Sequence, residues 1–292
     1  MILLQKILRV IIKEFITFGG FWGGLDSWGH FFAIIYSLVE IRMVFCMELL
    51  KFLYFIIFGF CIVDSLFSGK KRLNWVLVLT ALLLHAVYFF GARGVIFLTA
   101  VGIISTIAEL VSLKTSINVF GVSYRYNLSD RWFSSRIVLA KVLPIEVSGA
   151  WIFLKYLSFF ITSMITVQFG IGGISKAFIA ALALVSFDFI IDPVAISNGT
   201  WTWKRPGIFF GVPWGNFRGW FLIGLLTSLL FLDLKLPVNP DYGMALPVLL
   251  TSAIFLTTLG KELIGRNKIM GTLANIPLFL FITLGFGTLL IH

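Results

Sequence analysis

The sequence is short of charge, and shortest of negative charge: 23 Lys and Arg stand against 13 Asp and Glu, and only 12% of 292 residues are charged. A soluble domain of this size carries about twice that fraction. With 59% hydrophobic residues and a mean hydropathy of +1.02, the chain is read as an integral membrane protein. Cysteine is nearly absent, and Cys46 and Cys61 alone exclude a disulfide framework and a cysteine metal site. The three histidines, His30, His85 and His292, are too scattered to act as a ligand set, so no metal site is expected. No GxGxxG follows a strand, and Walker and GxSxG sequences are missing. The net charge of +10 does not point to nucleic acid, because the basic residues lie between apolar segments.

What the chain has is long apolar runs. They are too continuous for the alternating strands of a transmembrane barrel. They fit an all-α, polytopic transmembrane helical bundle of about eight spans, within a range of seven to nine, at ~20 residues each. The spans are expected at 49–68, 74–91, 94–112, 143–168, 174–192, 216–233, 244–260 and 272–290, as one membrane-embedded catalytic bundle over 49–292. Residues 1–48 form an N-terminal extension, either an interfacial amphipathic helix carrying Lys6, Arg9 and Lys13 or an extra span. One set of alternate loops holds 14 Lys and Arg, from Lys70 to Lys268, and the other only three, Arg93, Lys176 and Lys235. By the positive-inside rule the first set is cytoplasmic and the carboxyl terminus external, as in a multi-pass protein of the cell membrane.

Ionisable groups within spans are costly and point to function. Glu109, Glu146, Asp188 and Asp192 fall at the same end of three expected helices, so the topology brings four carboxyl groups to one depth. A carboxyl group in a dry site favours its neutral form and can then act as an acid. Asp188 and Asp192 are four apart, so they share a helix face, and Pro193 is expected to end that helix at Asp192. An aromatic, hairpin-like segment with Trp201 and Trp203 follows, then a turn-rich connection, with the next helix starting near Asn216. Tryptophans over a carboxyl at a helix end suit a reaction centre that stabilises a cation. His85 reads as a packed or hydrogen-bonded helix residue, and Lys155 as snorkelling or pairing with a carboxylate.

The same stretch carries a resemblance. DPVA at 192–195, GTWTW at 199–203 and FFGVPWGNFRGW at 209–220, with AEL at 108–110, Lys114-Thr115, Phe120-Gly121, Tyr124, Tyr126, Pro144 and Trp151, resemble the membrane carotenoid biosynthesis family. That family includes gamma-carotene hydratases and archaeal bisanhydrobacterioruberin hydratases. The match covers about residues 75–290 and leaves 1–48 outside. The resemblance implies an all-helical membrane enzyme that uses no cofactor and adds water across the terminal double bond of a long polyene. The substrate is then a carotenoid or related polyisoprenoid, and membrane lipid and other carotenoid-pathway membrane enzymes are the implied partners. Asp192, Glu109, Asp188 and Glu146 become the catalytic candidates. Tyr124, Tyr126, Trp151, Trp201, Trp203, Phe210, Trp214, Asn216 and Trp220 become candidates for holding the substrate.

Two other readings fit some residues. LPIEVSGAW at 143–151 also looks like the PxE signature of small membrane lycopene cyclases, in which the same protonation leads to ring closure. A proton-coupled lipid or small-molecule transporter could use the same acids as relays, but it commonly shows paired broken helices, and only one broken region is present. A prenyl transferase would need a second aspartate-rich motif beside the DxxxD of Asp188 and Asp192, and the sequence has none.

Overall fold

Trp75–Phe90 and Ala92–Lys114 are apolar on every side, and they form two helices, α1 and α2. A helix without a polar face belongs in a core or in lipid. Only Gly91, at φ 60°, separates them, a conformation that costs glycine least. They stay close because a β-carbon at Gly94 would meet the Ala86 carbonyl oxygen at 2.4 Å.

The computed structural model describes residues 44–58, 75–115, 117–130, 132–133, 135–236 and 241–291. Two units divide the chain between Ile56 and Ile57. In the first, residues 44–56 are helical; the labelled helices and strands all belong to the second. The expected extension before residue 44, and the far end of the span expected at 49–68, lie outside the described residues.

Beyond α2 come three short strands, β1 (Tyr124–Tyr126), β2 (Val138–Leu139) and β3 (Leu143–Pro144). Pro144 leads into α3 (Ile145–Gln168) at φ −61°, where its missing amide removes no bond within the helix. Then follow α4 (Gly173–Ser197), β4 (Trp201–Trp203), α5 (Trp214–Leu229) and α6 (Tyr242–Phe255). A π-turn, Leu256–Gly260, joins α6 to α7 (Lys261–Arg266), and α8 (Lys268–Leu290) closes the series. The central pair is α3 and α4, which are far more deeply buried than the other long helices described.

Among the described residues, five helices are long and apolar enough to cross a membrane: α2, α3, α4, the run Gly243–Arg266, and α8. The sequence led to about eight. α1 and α5 have 16 residues each, which is ~24 Å of helix against a hydrocarbon core of ~30 Å.

Pro193 does not end its helix, contrary to the sequence expectation: α4 continues to Ser197. The proline removes one amide donor, but the turn beyond it is held otherwise. The amides of Asn198 and Thr200 donate to the carbonyls of Val194 and Ala195, and both of those residues are buried. Local propensity is outweighed by packing. The WTW segment is likewise no hairpin of its own. β4 pairs antiparallel with β1, from a distant loop, in the register Tyr124 to Trp203 and Tyr126 to Trp201.

Candidate active site

Because α4 runs on through Pro193, Asp192 stays on the helix face above Asp188 and is not turned into the following loop. Both carboxyl groups are buried. Asn216, in the first turn of α5, meets them: its Nδ2 donates to Asp188 Oδ2 at 2.7 Å and to Asp192 Oδ2 at 2.6 Å. One oxygen of each carboxyl thus sits on the same nitrogen, which holds the two acids side by side. Like charges so close in a buried place disfavour ionisation of both groups. Asp188 Oδ1 is buried with no hydrogen-bond partner among the described residues.

Glu109, five residues before the end of α2, is the third acid. Its Oε2 accepts from the hydroxyls of Tyr124 and of Tyr126, the latter at 2.9 Å, and its Oε1 accepts from Trp151 Nε1 at 2.9 Å. A carboxylate is an acceptor only, and all three partners can donate. Glu109 interacts electrostatically with both aspartates, and Asp192 with both tyrosines. Burial, and then the charge of Glu109, holds the phenols of Tyr124 and Tyr126 well above their ordinary range, so both remain donors.

The tyrosines reach Glu109 because of the β1–β4 ladder. Alternation along a strand puts Tyr124 and Tyr126 on one face with Trp203 and Trp201, at ring distances of 4.8 and 5.7 Å. Arg125 and Thr202 are exposed and share their own contact, at 3.4 Å. The loop before β1 is drawn over α5 by a glycine pair: a β-carbon at Gly215 would lie 2.6 Å from the Gly121 α-carbon. Beside Glu109, Trp151 lies flat on Trp220, with centroids 3.8 Å apart and planes at 18°.

Of the residues singled out in sequence, Glu109, Asp188, Asp192, Tyr124, Tyr126, Trp151 and Asn216 meet in one network, with Trp201, Trp203 and Trp220 against it. Glu146 does not join by any hydrogen bond; its Oε1 accepts from the Ser135 amide at 2.6 Å, which ties the preceding loop to α3. Trp214 points outward and is 61% exposed, and Phe210 packs on Phe209. Lys155 neither snorkels nor pairs with a carboxylate: fully buried, it donates to the Gly224 carbonyl at 2.9 Å and Ser228 Oγ at 2.5 Å. His85 is hydrogen-bonded in the core, at 2.6 Å from the Tyr156 hydroxyl and 2.7 Å from the Met244 carbonyl. Among the described residues, no three His, Cys, Asp or Glu side chains are arranged to hold a metal ion. The bridging role of Asn216 was not foreseen. The signal for the ladder was present in YRY and WTW, two triplets with the same aromatic–polar–aromatic alternation.

A family model described as carotenoid biosynthesis protein matches residues 71–274. Bisanhydrobacterioruberin hydratase of Haloarcula japonica is 46% identical over 44 residues, which is 15% of this chain and 15% of that relative. The alignment thus covers a small part of either protein. No solved structure matches the chain.

Proposed function

The chain belongs to the carotenoid biosynthesis protein family, and we propose that it is a carotenoid hydratase, a lyase that adds water to the terminal double bond of a long polyene. The observation that carries this reading is the buried pair of carboxyls, Asp188 and Asp192, bridged by Asn216, next to a separate acid, Glu109, that receives three donors.

Hydration of a trisubstituted alkene begins with a proton placed on the less substituted carbon, which leaves a tertiary cation. The acid must be neutral and close, and the cation needs an anionic or π-rich wall. Asp192 is assigned the proton, with Asp188 and Asn216 orienting it. Glu109, acceptor-only in its three contacts, supplies negative charge, and the Trp151–Trp220 stack a π surface. Water adds its oxygen to the cation and returns one proton to the carboxylate that gave one. The net change is one hydrogen and one hydroxyl across the double bond, with no electron acceptor and no group transferred.

Ring closure shares the first step and differs in the nucleophile. The residue behind that reading, Glu146, stands apart from the other three acids, with Oε1 on the Ser135 amide and Oε2 buried without a hydrogen-bond partner among the described residues. Membranes from cells that express the chain, supplied with an acyclic carotenoid, should yield a product heavier by one water per reacted end. A product of unchanged mass with a ring at its end contradicts hydration and supports cyclisation. The accompanying orientation places the acids toward the cytoplasmic leaflet, where a membrane-dissolved polyene and other pathway enzymes meet the protein.

A further inference from the structure

Between β4 and α5 the chain makes a tight hairpin that the site chemistry does not use. Gly207 pairs with Gly211 and Phe209 with Val212, through hydrogen bonds of 2.9 and 2.8 Å. The reversal is held at Phe210, φ 50°, and Gly211, φ 85°, left-handed conformations that a phenylalanine adopts only against a cost. Ile208, between the paired Gly207 and Phe209, is 90% exposed. Trp214 stands at the base, 61% exposed, with its ring 6.1 Å from that of Phe209. One turn along α5 from Trp214 is Arg218, and Lys204 and Arg205 precede the hairpin; all three are exposed.

An exposed isoleucine on the hairpin, a tryptophan at its base and three cations beside them form an interfacial pattern. Tryptophan favours the boundary between headgroups and acyl chains. Cations near that boundary are attracted to anionic lipid. A protein partner is less well served: a stable interface needs ~800 Å² on each side, and one isoleucine with one tryptophan presents far less.

We propose that the Gly207–Val212 hairpin, with Trp214 and Arg218, is a lipid-docking surface that seats in the anionic headgroup layer beside the carboxyl site. Its inner side touches the site's own elements. The Phe209 ring is 5.5 Å from that of Phe189 and 5.6 Å from that of Phe217, the residues that follow Asp188 and Asn216. Docking therefore brings the leaflet against the wall of the site. On the hydratase reading, on which this last step rests, an apolar chain reaches the acids from lipid without crossing water.

The test uses the full chain with Cys46→Ala and Cys61→Ala, and Ile208→Cys labelled with an environment-sensitive fluorophore, in vesicles of phosphatidylcholine with or without phosphatidylglycerol. Quenchers on the acyl chains should act severalfold more strongly than aqueous iodide, and more so with phosphatidylglycerol at low salt. A label at Thr202→Cys should show the reverse. Arg218→Glu with Lys204→Glu should abolish the phosphatidylglycerol effect. Quenching of Ile208→Cys by iodide alone in both vesicles overturns the proposal, as does protection that pure lipid does not give and only added membrane proteins restore. If the labelled variant fails to insert, quenching of native Trp214, taken as the difference from Trp214→Phe, gives the same comparison. An aqueous hairpin on an active hydratase refutes the docking alone; a lipid-seated hairpin on a protein that never hydrates a polyene refutes the hydratase reading alone.

Discussion

Asn216 Nδ2 lies 2.6 Å from Asp192 Oδ2, and this contact links the start of α5 to the last turns of α4 at the point where the chemistry is proposed. It forms because Asp192 remains helical in spite of Pro193. The same nitrogen also holds Asp188, so the amide fixes two acids with one group. Around that bridge, the account of the site makes separable demands on individual residues.

The acids should not be equivalent. Asp192→Asn and Glu109→Gln keep size and hydrogen-bonding capacity, so folded protein should reach the membrane. Hydrated product should nevertheless fall by about a hundredfold or more, the scale of a lost general acid. Asp188→Asn should cost less. His85→Ala should leave turnover per folded molecule nearly unchanged, because its ring contacts Tyr156 and the Met244 carbonyl and not the acids. Product chromatography normalised to folded protein separates these cases. A wild-type rate in Asp192→Asn would transfer the donor role to another carboxyl.

Asn216→Leu removes the shared donor and keeps the volume. Leaving buried partners unpaired costs about 1–3 kcal/mol, on the order of ten- to a hundredfold in turnover if it is felt at the transition state. Combined with Asp192→Asn, the loss should be well short of the sum, since both changes break one unit. Additive losses would mean that Asn216 acts on something other than the pair.

How much of this was legible in the sequence depends on the range of each interaction. The apolar runs gave α1 to α4 within a few residues, because hydropathy is a local property. The spacing of Asp188 and Asp192 put them on one face for the same reason. Pro193 was misread because its local preference is opposed by tertiary contacts of Val194 and Ala195 that no window reveals. The β1–β4 ladder joins residues 77 apart at Arg125 and Thr202, and long-range pairing has no local signature beyond alternation. Glu146 was grouped with the other acids by depth alone. Depth does not say which way a side chain turns around its helix, and its contact is with the Ser135 amide.

Alkaline pH should weaken the fold through Tyr124 and Tyr126. Their phenols are held above the ordinary range by burial and then by Glu109, while in the unfolded chain they titrate near 10. The folded state therefore keeps more protons above that pH. The stabilisation is fully present below about pH 10 and is lost as pH rises through the higher folded values. Thermal unfolding followed against pH should show this decline, and it should be shallower in Tyr124→Phe/Tyr126→Phe. An equal slope in both proteins would remove the tyrosines from the account.

The orientation can be checked on intact cells. With cysteine placed singly at Ser175 or Ser129, both exposed, an impermeant thiol reagent should label position 175 and not 129. Labelling of 129 instead would invert the topology and move the acids to the external leaflet.

The source of the product's oxygen tests the central claim most directly. Membranes containing the protein are incubated with an acyclic carotenoid in isotopically labelled water, without dioxygen and with a chelator present. The account predicts a hydroxylated product that carries the heavy oxygen, formed at the same rate as in untreated membranes. Product oxygen that comes only from dioxygen, or a reaction that stops when dioxygen or metal is withdrawn, would contradict acid-catalysed hydration by the Asp188, Asp192 and Glu109 site.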